Sequence, residues 1–320
     1  MSLAGYLITI LALVVAQAGY LRLARWFGII DRPNARSAHN DLTTIRGAGI
    51  LFFLAGAGGF FYTGFAYPYF FAGLTLVATV SFLDDLRPLS RRYRLAAQAV
   101  GIALLLYETG LTSNGVWVLI GLVLVGVGVL NAWNFMDGIN GMTAWYGMVT
   151  VGTLWSWQEQ LGSPMAGSGL PFVFIALLIF STVNARRQAI CFAGDVGSIS
   201  LAFAVLFSLV QVISLTQTYL PMLLVAVYGV DTGMTLLYRL CKRQNVFQAH
   251  RLHLFQLLVH KRNWPHLRVS GVYALCQLVI NGLVVIAVTW GLQAQGILAG
   301  SVLALLAGLY VGLRRWALNE

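Results

Sequence analysis

Ten acidic side chains serve a chain of 320 residues, and their positions are the first clue to its chemistry. Asp84 and Asp85 are adjacent in SFLDDLRPLSRRYRLAAQ. Neighbouring carboxylates ionise together only when a cation or an arginine stands beside them. Hard oxygen donors at such a point suit Mg²⁺, which takes one or two carboxylates and leaves room for substrate phosphate oxygens. A polar helix end beside four arginines is the plainer alternative.

NAWNFMDGINGM places Asn131, Asn134, Asp137 and Asn140 at three-residue spacing. The first three fall along one helical face, and Gly138 and Gly141 then break the helix and let backbone approach a ligand. An amide stripe ending in a carboxylate can bind hydroxyl, amide and phosphate groups. Hydrogen bonding between membrane helices would use the same residues. In CFAGDVGSISLAFA, Gly194, Asp195, Gly197 and Ser198 open an apolar run, a cradle for phosphate or metal at a helix N-terminus. An ordinary N-cap accounts for Asp195 equally well. In NVFQAHRLHLFQLLVHKR, His250, Arg251 and His253 form a pyrophosphate clamp. No carboxylate or cysteine stands beside them to complete a zinc site, and His260 and His266 read as interfacial residues.

The elements that carry these motifs are apolar. Hydrophobic residues make up 59% of the chain and charged ones 9%, at a mean hydropathy of +0.79. That excludes an ordinary soluble domain. Expected membrane helices are 2–21, 47–65, 67–83, 95–107, 114–130, 142–158, 168–184, 197–214, 219–238, 269–290 and 294–313, each about long enough for a ~30 Å hydrocarbon core. The sequence therefore predicts a single domain, 1–320, of all-α polytopic type with about eleven transmembrane helices. Its first segment has no basic n-region and reads as a retained helix, not a signal peptide. Cys191, Cys241 and Cys276 are too isolated for a disulfide framework or a zinc site.

All 20 Lys and Arg residues fall in the odd-numbered connections or the C-terminal tail, and the opposite side holds only Glu108 and Glu159. By the positive-inside bias, the N-terminus lies outside and the C-terminus in the cytoplasm. Arg22, Arg25, Arg314 and Arg315 read as topogenic anchors, so the +10 net charge is no sign of nucleic-acid binding. Asp31, Asp41, Asp84, Asp85, Asp137 and Asp195 all map to the cytoplasmic side. Asp231 alone sits inside a span, roughly 12 Å below the interface, and is a site candidate by default.

These motifs in this order resemble the polyprenyl-phosphate N-acetylhexosamine-1-phosphate transferases (glycosyltransferase family 4), which include the peptidoglycan phospho-MurNAc-pentapeptide transferase. DRPNARSAHNDLTTIRGAG, DDLRPLSRRYRLAAQ, NAWNFMDGINGM, GDVGSISLAF and AHRLHLFQLL carry the resemblance. It implies a bacterial inner-membrane enzyme with a cytoplasmic active site. A UDP-N-acetylhexosamine would give its sugar-1-phosphate to undecaprenyl phosphate, with Mg²⁺ or Mn²⁺ and release of UMP. By the same resemblance Asp84, Asp85, Asp137 and Asp195 are catalytic, with Asp195 and Asp137 on the metal. Asn131, Asn134, Asn140, His250, Arg251 and His253 contact substrate. Related enzymes are often dimers, so a homodimer is expected too.

Two departures stand out. Asn140 replaces the second aspartate of the usual DGIDG, and the histidine loop reads HRLH. The latter form looks like the O-antigen-initiating branch of lipopolysaccharide biosynthesis, whose donors include UDP-N-acetylfucosamine and UDP-N-acetylquinovosamine. Phe52, Phe53, Phe60, Phe61, Phe70 and Phe71 could line a polyprenyl groove but read as helix-packing residues. The rival class is a polytopic secondary transporter built around Asp231. It would centre its polar groups at the midplane, whereas nearly all of them here lie at one rim.

Overall fold

Apolar runs punctuated by glycine, proline and arginine clusters fold as twelve α-helices among the described residues. The computed structural model describes residues 2–31, 44–113, 115–162, 169–245, 248 and 250–319; Arg32, Arg36 and Asp41 lie outside them. The helices are α1 (Leu3–Phe27), α2 (Ile50–Tyr62), α3 (Pro68–Leu86), α4 (Arg91–Glu108), α5 (Val116–Met136) and α6 (Met142–Gln160). Then follow α7 (Leu170–Asn184), α8 (Gly194–Thr216), α9 (Ala226–Cys241), α10 (Leu254–Arg262), α11 (His266–Ala287) and α12 (Leu292–Leu318). Local chemistry sets their ends. Ser2 caps α1 by accepting from the Gly5 N–H, and Gly28 stops it in the left-handed region.

Every expected segment holds a helix, and the chain is an all-α polytopic membrane protein. Among the described residues, seven stretches are long and apolar enough to cross a bilayer: α1, α3, α5, α8, Leu220–Cys241, α11 and α12. The apolar α2 and α7 are shorter, at 13 and 15 residues. α4 and α6 are too polar to qualify, and for α6 the reason is visible. Its Tyr146 hydroxyl donates to Gln277, Gln158 donates to Gln211, and Thr153 accepts from Asn281. These polar groups are satisfied within the protein, the condition for burial away from water.

The same network repairs an irregular stretch. Leu220–Val225 is a 3₁₀ turn leading into α9. Gln277 donates to the Leu223 carbonyl at 2.8 Å and accepts from the Val227 N–H at 3.1 Å. Non-helical backbone is thereby kept from lipid.

α8 is the axis of the bundle. Its most apolar 18-residue window is 89% buried, against 6% for α12, so α8 is apolar all round and enclosed while α12 faces outward. α3, α5, α2 and α6 pack around α8, and α4 backs α3. The aromatic residues of α2 and α3 serve this packing: Phe60 stacks on Phe71 and Phe70 on Phe207, each at 4.1 Å between centroids. α10 was not anticipated. It lies in what the sequence presents as one long basic connection.

Candidate active site

The end of α3, the start of α4, the end of α5 and the start of α8 meet at one end of the bundle, and each brings a polar side chain. Asp84 and Asp85, about 100° apart on the last turn of α3, face different partners. Asp84 accepts the Leu89 N–H at 2.6 Å and Arg94 Nη1 at 2.8 Å. Asp85 reaches across to α8, accepting the backbone N–H groups of Asp195 at 3.0 Å and Val196 at 2.9 Å. It also receives Arg46 Nε at 2.6 Å. Asp85, not Asp195, thus caps α8, satisfying N–H groups that the helix leaves unpaired. Gly194 makes this approach possible: it sits at φ +72°, and a Cβ there would stand 2.6 Å from Asp85 Oδ2.

Freed from capping, the Asp195 carboxylate becomes the hub. It receives Arg46 Nη2 at 3.4 Å, Arg94 Nη1 at 3.2 Å and Asn134 Nδ2 at 3.0 Å. Three carboxylates against two guanidiniums leave one net negative charge when all are ionised. Such a cluster favours a cation.

Arg46 and Arg94 were anonymous members of basic runs in the sequence, although the paired aspartates demanded a cation nearby. Arg46 is set by two connections that zip together. Ile45 donates its N–H to the Ile190 carbonyl at 3.1 Å and accepts from Phe192 at 2.8 Å. The Tyr20 hydroxyl of α1 holds the Arg46 carbonyl at 2.7 Å.

The amide stripe divides its labour. Asn134 spends its two N–H bonds on Asp195 and Ser198, both at 3.0 Å. Asn131 turns to Gln98 at 2.7 Å and the Val127 carbonyl at 2.8 Å, and serves helix packing. α5 ends at Met136, just ahead of Gly138, and Gly141 takes φ +81° at the start of α6. Asp137 accepts from the Thr143 hydroxyl at 2.5 Å. Burial pushes its carboxyl up to about 6, Thr143 opposing the rise and the Asp195 charge adding to it. Asn140 donates to the carbonyls of Arg186 at 2.8 Å and Arg187 at 3.2 Å, tying down the α7–α8 connection. Ser270 of α11 donates to the Asn140 carbonyl at 2.8 Å.

His250, Arg251 and His253 precede α10. His253 is buried, with Nδ1 3.3 Å from Asp231 Oδ1 and its ring 5.0 Å from that of His250. Arg251 lies at the surface. Two readings of the sequence change here. Asp231 does not stand alone in the membrane, since its partners all come from the protein. Arg314 is no simple anchor: it is buried and donates to the Leu252 carbonyl at 2.8 Å. Burial pushes the Cys191 thiol up to about 12, which removes it as a nucleophile.

Residues 67–213, from α3 through most of α8, match the profile described as glycosyl transferase family 4. That stretch holds Asp84, Asp85, Asn131, Asn134, Asp137, Asn140 and Asp195. Over those residues the chain is similar to glycosyl transferase family 4. The curated relatives it resembles are distant. A probable undecaprenyl-phosphate N-acetylglucosaminyl 1-phosphate transferase of Bacillus subtilis is 23% identical, over 80% of this chain and 76% of the relative. The undecaprenyl-phosphate alpha-N-acetylglucosaminyl 1-phosphate transferase of Yersinia pestis is 27% identical, over 74% and 71%. The phospho-N-acetylmuramoyl-pentapeptide-transferase of Thermotoga neapolitana is 27% identical, over 65% and 72%. The chain is therefore a multi-pass membrane protein related to bacterial envelope enzymes. Arg46 and the His250–His253 loop lie outside the matched stretch.

Proposed function

We propose that this enzyme transfers an N-acetylhexosamine-1-phosphate from a UDP-sugar to undecaprenyl phosphate and releases UMP. The observation that carries the reading is Arg94 Nη1 bridging Asp84 at 2.8 Å and Asp195 at 3.2 Å. Two carboxylates from distant helices hold one cationic group in the stretch that matches the family. Among the described residues no three His, Cys, Asp or Glu side chains form a ready cage for a metal. Mg²⁺ does not need one, because it takes one or two carboxylates and completes its shell with water and substrate phosphates. Asp195, with Asp84 beside it and Asp137 near, fits that role. When bound, the ion neutralises the donor diphosphate.

The lipid phosphate attacks the phosphorus that carries the sugar. The bond from that phosphorus to the bridging oxygen breaks, and UMP leaves with the electron pair. Like charges must be brought together, so alignment and neutralisation dominate the barrier. Of the paired aspartates, Asp84 is the better placed to orient the acceptor phosphate. Asp85 is occupied by two backbone N–H groups and Arg46. His250 and Arg251 hold the donor's phosphates and the departing UMP. An anionic acceptor needs little activation, which favours direct displacement over an aspartyl-phosphate intermediate.

The same reading places the site on the cytoplasmic side of the inner membrane, with eleven crossings. The HRLH loop supports an O-antigen-type glycan as the product and a deoxy amino sugar as donor, and a homodimer fits the family. The transporter alternative loses its support, since Asp231 is filled by helix-capping contacts. The test is UMP release by purified protein given undecaprenyl phosphate and a panel of UDP-N-acetylhexosamines, with and without EDTA. No release with any donor refutes the proposal.

A further inference from the structure

Asp231 makes more contacts than a lone membrane carboxylate needs, and they converge on one loop. It accepts the N–H groups of Leu254 at 3.0 Å and Phe255 at 3.4 Å, the first turn of α10. It also accepts the Tyr273 hydroxyl of α11 at 2.7 Å and the Thr235 hydroxyl of its own helix at 3.2 Å. His253 Nδ1 stands 3.3 Å away. From Thr235 the chain of hydrogen bonds continues to the Tyr310 hydroxyl at 2.9 Å and on to Arg314 Nη1 at 3.1 Å. Arg314 donates from the same nitrogen to the Leu252 carbonyl at 2.8 Å, and its guanidinium lies 3.9 Å over the Tyr238 ring. A parallel clamp closes the other end of α10, where Arg262 donates to the Trp316 carbonyl and the Asn319 side chain at the end of α12.

We propose that Asp231 and Arg314 are positioning residues that seat the His250–His253 loop for the donor diphosphate. Asp231 fixes the helix start and the His253 ring from below. Arg314 fixes the carbonyl of Leu252, the residue between Arg251 and His253. α12, which faces outward along most of its length, thereby has a duty at the site. A loop carrying charged ligands gains rate only when its side chains are already oriented, because ordering them during binding costs affinity. A buried carboxylate with several donors is also hard to displace, since moving it would leave it unpaired.

This inference rests on the proposed role of His250 and Arg251, so its test has one arm that needs no reaction. Hydrogen exchange is measured on the detergent-solubilised full-length protein. In Asp231→Asn, amides of residues 252–256 are expected to exchange about tenfold faster, as fits loss of a hydrogen bond to a charged acceptor, while the start of α8 keeps its rate. Tyr310→Phe, which removes one hydroxyl from the chain, gives a smaller rise in the same segment and guards against misfolding of the first variant. In the kinetic arm, both variants and Arg314→Gln raise KM for the UDP-sugar and leave KM for undecaprenyl phosphate unchanged, whereas Arg314→Lys restores much of the donor affinity.

Unchanged exchange at 252–256 overturns the proposal. So does a uniform rise across the protein, or an equal shift of both KM values, since either marks a merely structural role. If the wild-type protein releases no UMP, the reaction reading fails while the exchange arm still decides the seat.

Discussion

Asp85 caps the helix on which Asp195 stands, accepting the Asp195 N–H at 3.0 Å while Arg46 links the two side chains. Two carboxylates 110 positions apart in the chain therefore have opposite duties. One is spent on backbone, and this leaves the other free to face a cation.

That division predicts different phenotypes for adjacent residues. Asp85→Ala leaves the α8 N-terminus and Arg46 without their acceptor and is expected to cost about 2 kcal/mol of stability, read as a lowered Tm in detergent. Asp84→Asn keeps the fold and Tm and loses turnover. The reverse pattern would exchange the roles assigned to them.

Arg94 bridges Asp84 and Asp195 where a divalent ion would bind. Removing it removes a competing cation. Arg94→Ala is expected to bind Mn²⁺ about threefold to tenfold more tightly, on the scale of one partly exposed ion pair, yet to turn over more slowly. Electron paramagnetic resonance of free Mn²⁺ reads the affinity directly. Weaker binding would mean that Arg94 supports the metal.

Asn140 uses both N–H bonds on the carbonyls of Arg186 and Arg187. Asn140→Asp would point carboxylate oxygens at carbonyl oxygens. The expected result is a loss of about 2 kcal/mol and no gain in activity. Thermal melts and turnover with several UDP-sugars check it, and a more active Asn140→Asp enzyme would show that the amide instead tunes the substrate.

Asp137 has its carboxyl raised by burial to about 6. A carboxyl raised in the folded state binds its proton more tightly folded than unfolded, so the contribution of Asp137 to stability is greatest at low pH and is lost as pH rises through about 6. In EDTA, the wild-type Tm should therefore fall between pH 5 and 7 by more than that of Asp137→Asn. Added Mg²⁺ should reduce the difference if Asp137 serves the metal. Identical pH profiles in EDTA would remove Asp137 from the list of perturbed groups.

Much of this protein is legible in one dimension. Apolar length marks the helices, since a bilayer demands backbone satisfied within each segment. α5 ends at Met136, just before Gly138, with Gly141 in the left-handed region ahead of α6, and the spacing of Asn131, Asn134 and Asp137 marks the motif. α4 and α6 were legible as helices too, at 95–107 and 142–158, but not the reason for their polar residues: Arg94 and Gln98 of α4, and Tyr146 and Gln158 of α6, bond to other helices. The start of α10 was hidden too, because half of its cap comes from Asp231 on α9.

What only the tertiary structure decided is which partner each polar group takes. Asp84 and Asp85 are interchangeable in sequence, yet one faces Arg94 and the other the backbone of α8. Asn131, Asn134 and Asn140 share a motif but serve packing, the carboxylate hub and a loop respectively. Arg314 looked like an anchor and holds Leu252. Hydropathy and residue spacing report neighbours along one chain segment, where periodicity is set by local backbone geometry. A hydrogen bond between residues more than sixty positions apart depends on how helices pack, and it leaves no local periodic signature.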